Sequence, residues 1–482
     1  MHLLPSKVQV PLYDRNKITH GIVHIGVGAF HRAHQAVYID DCLAAGERDW
    51  GIVGVSLRNK RTRDALFPQN NLFTLAARKR NRETLRIIGS ISNIFALEDD
   101  VESIFAYLCH PNTRIVSLTV TEKGYCVNLA TGELAYGLPK ILHDLSDPHN
   151  PHSVPGIIVE AIFRRRRDSI APFTVLSCDN LPSNGATTLN VLTQYSSERD
   201  VELGKFIAGE LICPSTMVDR IVPATTETDI QSINEKLGLT DSWPVVTEEF
   251  SQWIIEDRFL RGRPELERCG VKFVTDVAPF EHMKLRMLNG AHSSIAAIGR
   301  IAGFSTVCDA VSNPSINRFV QMFWAEIAPT MNASIDTKEY SKELLERFAN
   351  SALDHRLDQI ATDASQKIPQ RLISPTRELR ANGRKTPMLI FAIAAWIRSC
   401  CGEDEKGKAI AVNDPSFTSW SGMPERSSSA SVVVHAYLAM AAVFGEDMKR
   451  DAYFTDGLAR AFESIMNLGI LPAMNTLLEG TE

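Results

Sequence analysis

The sequence lacks several features that would place it in a specialised class of protein. Its 482 residues contain no apolar run long enough to cross a membrane, no internal repeat and no low-complexity segment. The longest apolar stretches, 388–397 and 432–444, are both too short, and the second is interrupted by His435 and Tyr437. Residues 1–10 show no basic segment followed by an apolar one, so no secretory signal is expected there. These absences predict a cytoplasmic protein with no membrane partner.

Excess positive charge and paired cysteines are absent as well. The formal net charge is −6, whereas nucleic-acid-binding proteins are usually basic, so no nucleic-acid partner is expected. We interpret the densest basic cluster, 164–167, as the exposed end of a helix, with a phosphate-binding patch as the alternative. The nine cysteines form no CxxC pair and no His/Cys ligand pattern. This distribution fits a reducing compartment and argues against a structural zinc site.

A glycine turn near the N-terminus is the first positive signal. The apolar run 22–25 leads into Gly26-Val27-Gly28, and a helix is predicted over 35–45. Strand, glycine turn and helix form the first unit of a dinucleotide-binding fold, in which the glycines let the backbone approach a pyrophosphate. His31 replaces the third glycine of the usual GxGxxG pattern. The pattern therefore predicts cofactor binding, although a simple turn would also fit it.

The second predicted strand, 50–57, ends without the acidic residue that often binds the adenosine ribose of NAD. Arg58, Lys60 and Arg61 follow it instead. These cations leave room for the 2′-phosphate of NADP. A solvated basic loop is the alternative interpretation.

Other predicted strands also end in polar residues. Strand 114–120 runs into Thr121-Glu122, and strand 173–177 leads to Asn180 and Asn184. The carboxyl edge of a parallel sheet is where ligands bind in such folds, so these strand ends suit a ligand crevice. The two asparagines would also serve as simple turn residues. Further strands are predicted at 85–88 and 243–247.

The pattern changes after about residue 276, where strand–helix alternation gives way to long helical periodicity. We predict an α/β protein with a Rossmann-type dinucleotide-binding domain at 1–276 and a mainly α-helical domain at 277–482. Small-molecule sites often lie between domains, and no strong interface signature is present, so we expect a monomer. The helical patterns cover 284–302, 314–328, 340–348, 386–400, 430–445 and 456–468.

The segment 284–299 is predicted to be the helix that carries the chemistry. At about 100° per residue, Asn289 lies roughly 140° and His292 roughly 80° from Lys284, so all three fit on one side. An amine, an amide and an imidazole directed to one place can take a proton, polarise an oxygen and orient a hydroxyl. A solvated lysine, a tolerated asparagine and a core histidine would have the same spacing.

Taken together, these motifs resemble those of the mannitol dehydrogenase family, the polyol-specific long-chain dehydrogenases. The resemblance covers nearly the whole chain. It is carried by residues 26–34, 121–125, 177–185 and 214–220, and by Lys284 with Asn289 and His292. Within the family, 54–58 and 359–371 look most like D-mannonate oxidoreductases, also called fructuronate reductases. Mannitol 2-dehydrogenases more often carry arginine where this chain has Gln359.

The resemblance implies a metal-independent NAD-dependent enzyme, with NADP possible, that interconverts a secondary alcohol and a ketone on an open-chain sugar acid or hexitol, a small-molecule substrate. D-mannonate/D-fructuronate is the expected pair, mannitol 2-dehydrogenase activity the alternative, and a non-catalytic nucleotide sensor a distant one. Lys284 would be the general acid/base, since desolvation would lower its pKa from the ordinary value of about 10.4. The other implied roles are oxyanion stabilisation by Asn180 and Asn289, hydroxyl positioning by His292, and proton gating by Glu281. Cofactor binding is implied for Gly26, Gly28, Ala29, Phe30, His31, Arg58, Thr121 and Glu122, and substrate binding for Asp219, Lys367 and Arg371.

Overall fold

The computed structural model describes residues 4–80, 82–128, 131–333, 336–414, 416 and 429–480. The chain divides into two compact units, Met1–Ala278 and Pro279–Glu482, called unit 1 and unit 2 below. Each unit has buried apolar clusters of its own.

Unit 1 contains all the strands found in the described residues. In chain order they are β1 (His20–Ile25), β2 (Gly51–Ser56), β3 (Phe73–Lys79), β4 (Arg82–Ile88), β5 (Ile91–Ala96), β6 (Ile115–Leu118), β7 (Val127–Asn128), β8 (Glu133–Leu134), β9 (Thr174–Ser177), β10 (Thr216–Asp219), β11 (Val245–Glu248), β12 (Gln252–Glu256) and β13 (Lys272–Val274).

The main sheet is parallel throughout and has the strand order β5-β2-β1-β6-β9. Strands β1, β2, β6 and β9 are rich in valine and isoleucine and almost completely buried, as expected for strands covered on both faces, whereas the edge strand β5 is only partly buried. In the register, Ile25 lies beside both Val55 and Leu118. The polar segments that follow these strands therefore share one carboxyl edge. The predicted Rossmann-type sheet is confirmed.

Smaller sheets and connecting helices complete unit 1. The sheets have the orders β10-β12-β13, β11-β3-β4 and β7-β8, and most of their strands were not predicted. The α-helices are Ala29–Ala33, Gln35–Ala44, Arg61–Leu66, Val101–Leu108, Pro139–Ser146, Val154–Arg167, Asn184–Arg199, Val201–Glu210 and Glu227–Leu237.

The basic cluster 164–167 does end a helix, but the expectation that it is exposed is wrong for Arg165. This side chain is fully buried and donates hydrogen bonds to four main-chain carbonyls, those of Leu108, His110, Thr113 and Ala171. Burial lowers the pKa of Arg165 to about 10. Its charge is thus accommodated by carbonyl dipoles, and it joins the end of the helix to the segments that precede β6 and β9.

Unit 2 is helical, as predicted. Its α-helices are Ala278–Met283, which begins on the last residue of unit 1, then Gly290–Ile301, Val307–Ser312, Pro314–Ile327, Thr337–Phe348, Leu357–Ala361, Ala364–Ile368, Ser374–Ala381, Pro387–Ser399, Ala430–Leu438, Ala441–Arg450, Ala452–Leu468 and Ile470–Glu479. Two π-helices, Lys284–Asn289 and Pro369–Ile373, continue directly into α-helices.

The apolar helix Pro387–Ser399 runs through the unit 2 core. Glu326, which is half-buried, accepts hydrogen bonds from the main-chain N–H groups of Met388 and Leu389 at 2.9 Å, within the first turn of this helix. Burial raises the pKa of Glu326 to about 7, although these hydrogen bonds oppose the shift.

Two predicted helices differ from the observed ones. The single helix expected over 430–445 is in fact two, Ala430–Leu438 and Ala441–Arg450, bent by 113°. The bend lets Val434 and Phe444 both reach the core. Within the described residues, no single helix has the length and apolar character needed to span a membrane, and this bent pair meets the test only when its two helices are combined. The predicted helix 284–302 begins as the π-helix and ends at Ile301.

Candidate functional site

The glycine turn follows β1 at the carboxyl edge of the main sheet. Gly26 has φ +102°, and a Cβ there would come within 2.2 Å of the Thr119 carbonyl oxygen, so only glycine fits. Gly28 is exposed, and the nearest atom to a Cβ added there is 3.9 Å away, which leaves its backbone open to a ligand. Helix Ala29–Ala33 starts immediately afterwards. This turn has the open backbone that a dinucleotide pyrophosphate requires.

The two aromatic residues after the turn are packed rather than open. His31 is fully buried and stacks on His24 with ring centroids 3.4 Å apart. Burial, with the neighbouring His24 and Arg32, holds the pKa of His31 well below its usual range. Half-buried Phe30 stacks on His34 at 5.0 Å. His31 therefore fills the space behind the turn where the usual motif has its third glycine.

Asp179 holds the loop that follows β6. Its carboxylate accepts hydrogen bonds from the N–H groups of Val120 at 2.8 Å and Thr121 at 3.1 Å, and from the Tyr125 hydroxyl at 2.9 Å. Thr121 has φ +62°, a left-handed conformation that is costly for a threonine. Glu122 begins the short 3₁₀ helix Glu122–Tyr125. Thr121 and Glu122, both predicted to bind the cofactor, thus lie on a strained loop that the Asp179 carboxyl group holds in place.

Burial is the main cause of a raised pKa at Asp179, to about 6, and nearby Glu122 adds to it while the three hydrogen bonds oppose it. Asp179 lies within the motif 177–185, but the sequence pattern assigns it no role. The sequence feature that could have marked Asp179 as functional is its position directly after a buried strand, beside Asn180.

The other predicted residues of unit 1 have different surroundings. Asn180 is exposed just beyond β9. Asn184 is structural, because its amide donates to the carbonyls of Asp179 and Thr216 and accepts from the Thr216 N–H. Asp219 is buried at the end of β10, and in the strand register it lies opposite Gln252 of β12.

The three cationic residues after β2 make different contacts. Lys60 pairs with Asp99 at 2.7 Å and with Glu98 at 3.5 Å. Arg61 lies 5.7 Å from the centre of the Trp243 ring. Arg58 is exposed, and its guanidinium lies 3.5 Å from the Thr121 hydroxyl.

In unit 2, Lys284 and Asn289 are the first and last residues of a π-helix, with the Gly290 N–H bonded to the Leu285 carbonyl five residues back. Lys284 and Asn289 are 6% and 7% exposed, so the solvated-lysine alternative does not describe this segment. Trp324 donates to the Met287 carbonyl at 2.8 Å and fixes the segment. π-Helices are rare and frequently occur at functional sites.

Two polar atoms on this segment and the next turn are buried without hydrogen-bond partners among the described residues: Nδ2 of Asn289 and Nε2 of His292. Burying such a group unpaired costs about 1–3 kcal/mol. Groups kept in this state are well suited to bind a polar ligand. Both belong to the set predicted from sequence.

His292 is surrounded by cationic and imidazole groups. Burial, and then His355, Arg347 and Arg371, hold its pKa well below the usual range, so the ring is neutral. Its ring meets that of His355 edge-on at 4.9 Å. Burial and Arg347 lower the pKa of His355 to about 4. Sequence reasoning missed His355 and Arg347, which lie 63 and 55 residues further along the chain with no motif to mark them.

The second π-helix, Pro369–Ile373, contacts the first. Its Arg371 donates to the Ser293 hydroxyl at 3.1 Å. The absence of a side chain at Gly290 allows the approach, because a Cβ there would be 3.2 Å from the Arg371 carbonyl oxygen. Lys367, in the preceding helix, donates to the carbonyls of Ile360 and Thr362 at 3.3 and 2.5 Å. The structure therefore brings Arg371 close to His292 and directs Lys367 onto its own chain segment.

Glu281 is half-buried in the helix Ala278–Met283, one turn before Lys284. One group of possible metal ligands occurs within the described residues, His143, Asp144 and His152, whose ligand atoms lie within 4.8 Å of one another. Asp144 already accepts hydrogen bonds from His152 N, Ser153 N and Ser153 Oγ, which fixes the start of the helix Val154–Arg167. We assign it a structural role.

Unit 1 has a parallel dinucleotide-binding sheet with an open glycine turn, and unit 2 has a buried lysine, amide and imidazole. This combination is typical of nicotinamide-dependent dehydrogenases. Comparison with known proteins narrows the class. Residues 20–268 match the model of the mannitol dehydrogenase Rossmann domain, and residues 276–466 match that of the mannitol dehydrogenase C-terminal domain. The chain belongs to the mannitol dehydrogenase family and is an oxidoreductase, which confirms the predicted resemblance.

Relatives of two activities are equally similar to the chain. D-mannonate oxidoreductase of Escherichia coli is 40% identical, covering 95% of this chain and 96% of the relative. Mannitol 2-dehydrogenase of Aspergillus terreus is also 40% identical, covering 97% and 95%. Among solved structures, the Pseudomonas fluorescens mannitol 2-dehydrogenase complex with NAD and D-mannitol superimposes with a TM-score of 0.93 at 36% identity, covering 99% and 98%.

Proposed function

We propose that the protein is an NAD-dependent oxidoreductase that interconverts D-mannonate and D-fructuronate, an open-chain sugar acid pair. The observation that carries the choice of an acid is the pair of guanidinium groups, Arg347 and Arg371, that act on His292. A guanidinium binds a carboxylate with charge-assisted hydrogen bonds, often two at once. A neutral hexitol offers only hydroxyl acceptors and no negative charge to pair with a guanidinium. The alternative substrate pair is D-mannitol and D-fructose.

NAD is the cofactor of the proposed reaction, as in the solved mannitol 2-dehydrogenase complex. The open backbone at Gly28 and the turn enforced by Gly26 fit a pyrophosphate. Gly26, Gly28, Ala29 and the loop containing Thr121 would hold it. The nicotinamide ring supplies the hydride acceptor when the cofactor is bound.

The residues of unit 2 would handle the proton and the developing charge. Lys284, which is 6% exposed, takes the proton of the secondary alcohol. The unpartnered Asn289 amide donates to the oxygen as negative charge develops there, which is worth roughly 3–4 kcal/mol at comparable sites. The neutral His292 ring orients a neighbouring hydroxyl without adding a charge. Asn180, on unit 1, is proposed as a second donor, and Glu281 as the proton exit.

The substrate is tested by measuring NADH oxidation with D-fructuronate and D-fructose side by side. We expect kcat/KM to be at least 10-fold higher with fructuronate. A preference for fructose would overturn the acid assignment and favour the hexitol alternative.

Arg371→Gln tests the residue basis of that preference. Losing a charge-assisted hydrogen bond of about 1.5–3 kcal/mol should lower kcat/KM for fructuronate roughly 10- to 150-fold. The effect on fructose should be much smaller. Arg377→Gln is the matched control, because it removes an exposed arginine of the helix Ser374–Ala381 that pairs with Asp447. Equal losses on both substrates in Arg371→Gln would show that Arg371 supports the fold and does not bind the carboxylate.

A further inference from the structure

The strand pairing of unit 1 places two loops side by side at the carboxyl edge of the main sheet. Strands β2 and β5 are parallel neighbours, with Val55 beside Phe95 and Ser56 beside Ala96. The segments 57–61 and 97–100 therefore leave the sheet at the same edge. In dinucleotide-binding folds, the residues after the second strand meet the adenosine ribose, where a carboxylate favours NAD and a cation accommodates the 2′-phosphate of NADP.

The carboxylate missing after β2 is supplied by the loop after β5. Asp99 binds Lys60 at 2.7 Å through one oxygen and Arg63 at 2.9 Å through the other. Asp100 adds a second contact to Arg63 at 2.9 Å, and its carboxylate is held by the Ala96 N–H. The hydrogen bond from Lys60 is the main reason that the pKa of Asp99 is lowered. The Lys60 cation is thus already matched by a carboxylate.

We propose that Asp99 is a coenzyme-specificity residue that excludes NADP by neutralising Lys60 and placing negative charge beside the 2′ position. A 2′-phosphate would have to displace Asp99 from Lys60 and would then lie near like charge. NADH carries a hydroxyl there and meets neither obstacle. This inference rests on the proposed function only in requiring a nicotinamide dinucleotide on unit 1, and it is independent of the substrate.

The test measures equilibrium binding of NADPH and NADH to the full chain without substrate. Nicotinamide fluorescence is the readout, and the titrations are run at low and at high salt. Asp99→Asn should tighten NADPH binding by up to about 5-fold, the upper value for one exposed ion pair, and leave NADH within 2-fold. Glu98→Gln combined with Asp99→Asn should gain at least as much, because Glu98 can otherwise replace Asp99 at Lys60. The gain should shrink at 0.5 M salt and vanish when Lys60→Met is added.

Asp64→Asn is the matched control, because the Asp64 carboxylate also pairs with Arg63, whereas the ammonium group of Lys60 pairs with Asp99 and Glu98. An equal NADPH gain in this control would reduce the effect to net charge and overturn the proposal. Unchanged NADPH affinity in both Asp99 variants would overturn it too. Failure of the wild type to bind either coenzyme would instead refute the proposed function, and this inference with it.

Discussion

Asp179→Asn is the most informative single substitution, because it tests how the strained Thr121 loop is held. The carboxylate receives Val120 N–H and the Tyr125 hydroxyl on one oxygen and Thr121 N–H on the other. An asparagine can accept at only one of these positions. In either orientation its NH₂ group faces a main-chain N–H, so one backbone donor loses its acceptor at a cost of about 1–3 kcal/mol.

The substitution also removes a titrating group. The pKa of Asp179 is raised from 3.8 to about 6, so the unfolded chain releases this proton first as pH rises. The stability associated with the protonated form is complete below about pH 3.8 and is lost as pH rises through 6. At 1.36 kcal/mol per pKa unit the full loss is at most about 3 kcal/mol, and water reaching the half-buried side chain reduces it.

The lost backbone hydrogen bond and the lost titrating group can be measured separately. Between pH 5 and 7 we expect the wild type to lose about 1 kcal/mol of stability relative to the variant, because roughly half of the linkage falls in this interval. Urea unfolding of both proteins across that range measures the difference. Hydrogen exchange of a peptide covering residues 119–125 should be faster in the variant at every pH, because one loop N–H is unbonded.

NADH binding connects the loop to function. We expect the variant to bind NADH more weakly, since the Thr121–Glu122 loop is no longer fixed. Parallel stability–pH curves for the two proteins would refute the raised pKa. Unchanged exchange in the loop, at unchanged NADH affinity, would refute the view that Asp179 holds it.

Three other substitutions probe separate features. Lys284→Ala should lower kcat by at least ~10²-fold while NADH binding stays near normal, and retention of more than about a tenth of kcat would exclude it as the base. Arg165→Met should destabilise the protein by about 3 kcal/mol or more in urea unfolding, because four carbonyls lose their donor, whereas Arg166→Met, at an exposed neighbour, should change it by less than about 0.5 kcal/mol. The wild type should lose up to about 3 kcal/mol of stability between pH 4.5 and 7, because the raised pKa of Glu326 favours its protonated form. Glu326→Gln should remove this loss, and an unchanged pH profile in the variant would contradict the assignment.

Much of the fold was predictable because its signals are local. The apolar strands before Gly26 and after Arg114, and the helical periodicity beyond residue 284, follow from side-chain pattern alone. Strands β3, β5, β7, β8, β10, β12 and β13 were missed, since most are short and belong to an edge or a small sheet. Arg165 was misjudged because sequence shows its charge but not the four carbonyls that surround it.

The candidate site was predictable only in part. Lys284, Asn289 and His292 stand close together in the chain, so spacing was enough to group them. His355, Arg347 and the pairing of Lys60 with Asp99 depend on contacts between distant segments, which no single-sequence pattern encodes. The assigned roles of the site residues remain predictions.

The π-helix at Lys284 has a consequence for how this segment can vary. A π-turn contains one residue more than an α-turn, so the direction of Lys284 relative to His292 depends on how many residues lie between them. If the same residues formed an ordinary α-helix, the extra residue would pass into the next turn and the lysine would rotate by about 100° around the helix axis relative to His292. The π-turn itself is therefore the constrained property here. Apolar exchanges that keep the π-turn should be tolerated far better than substitutions that convert it to an α-turn.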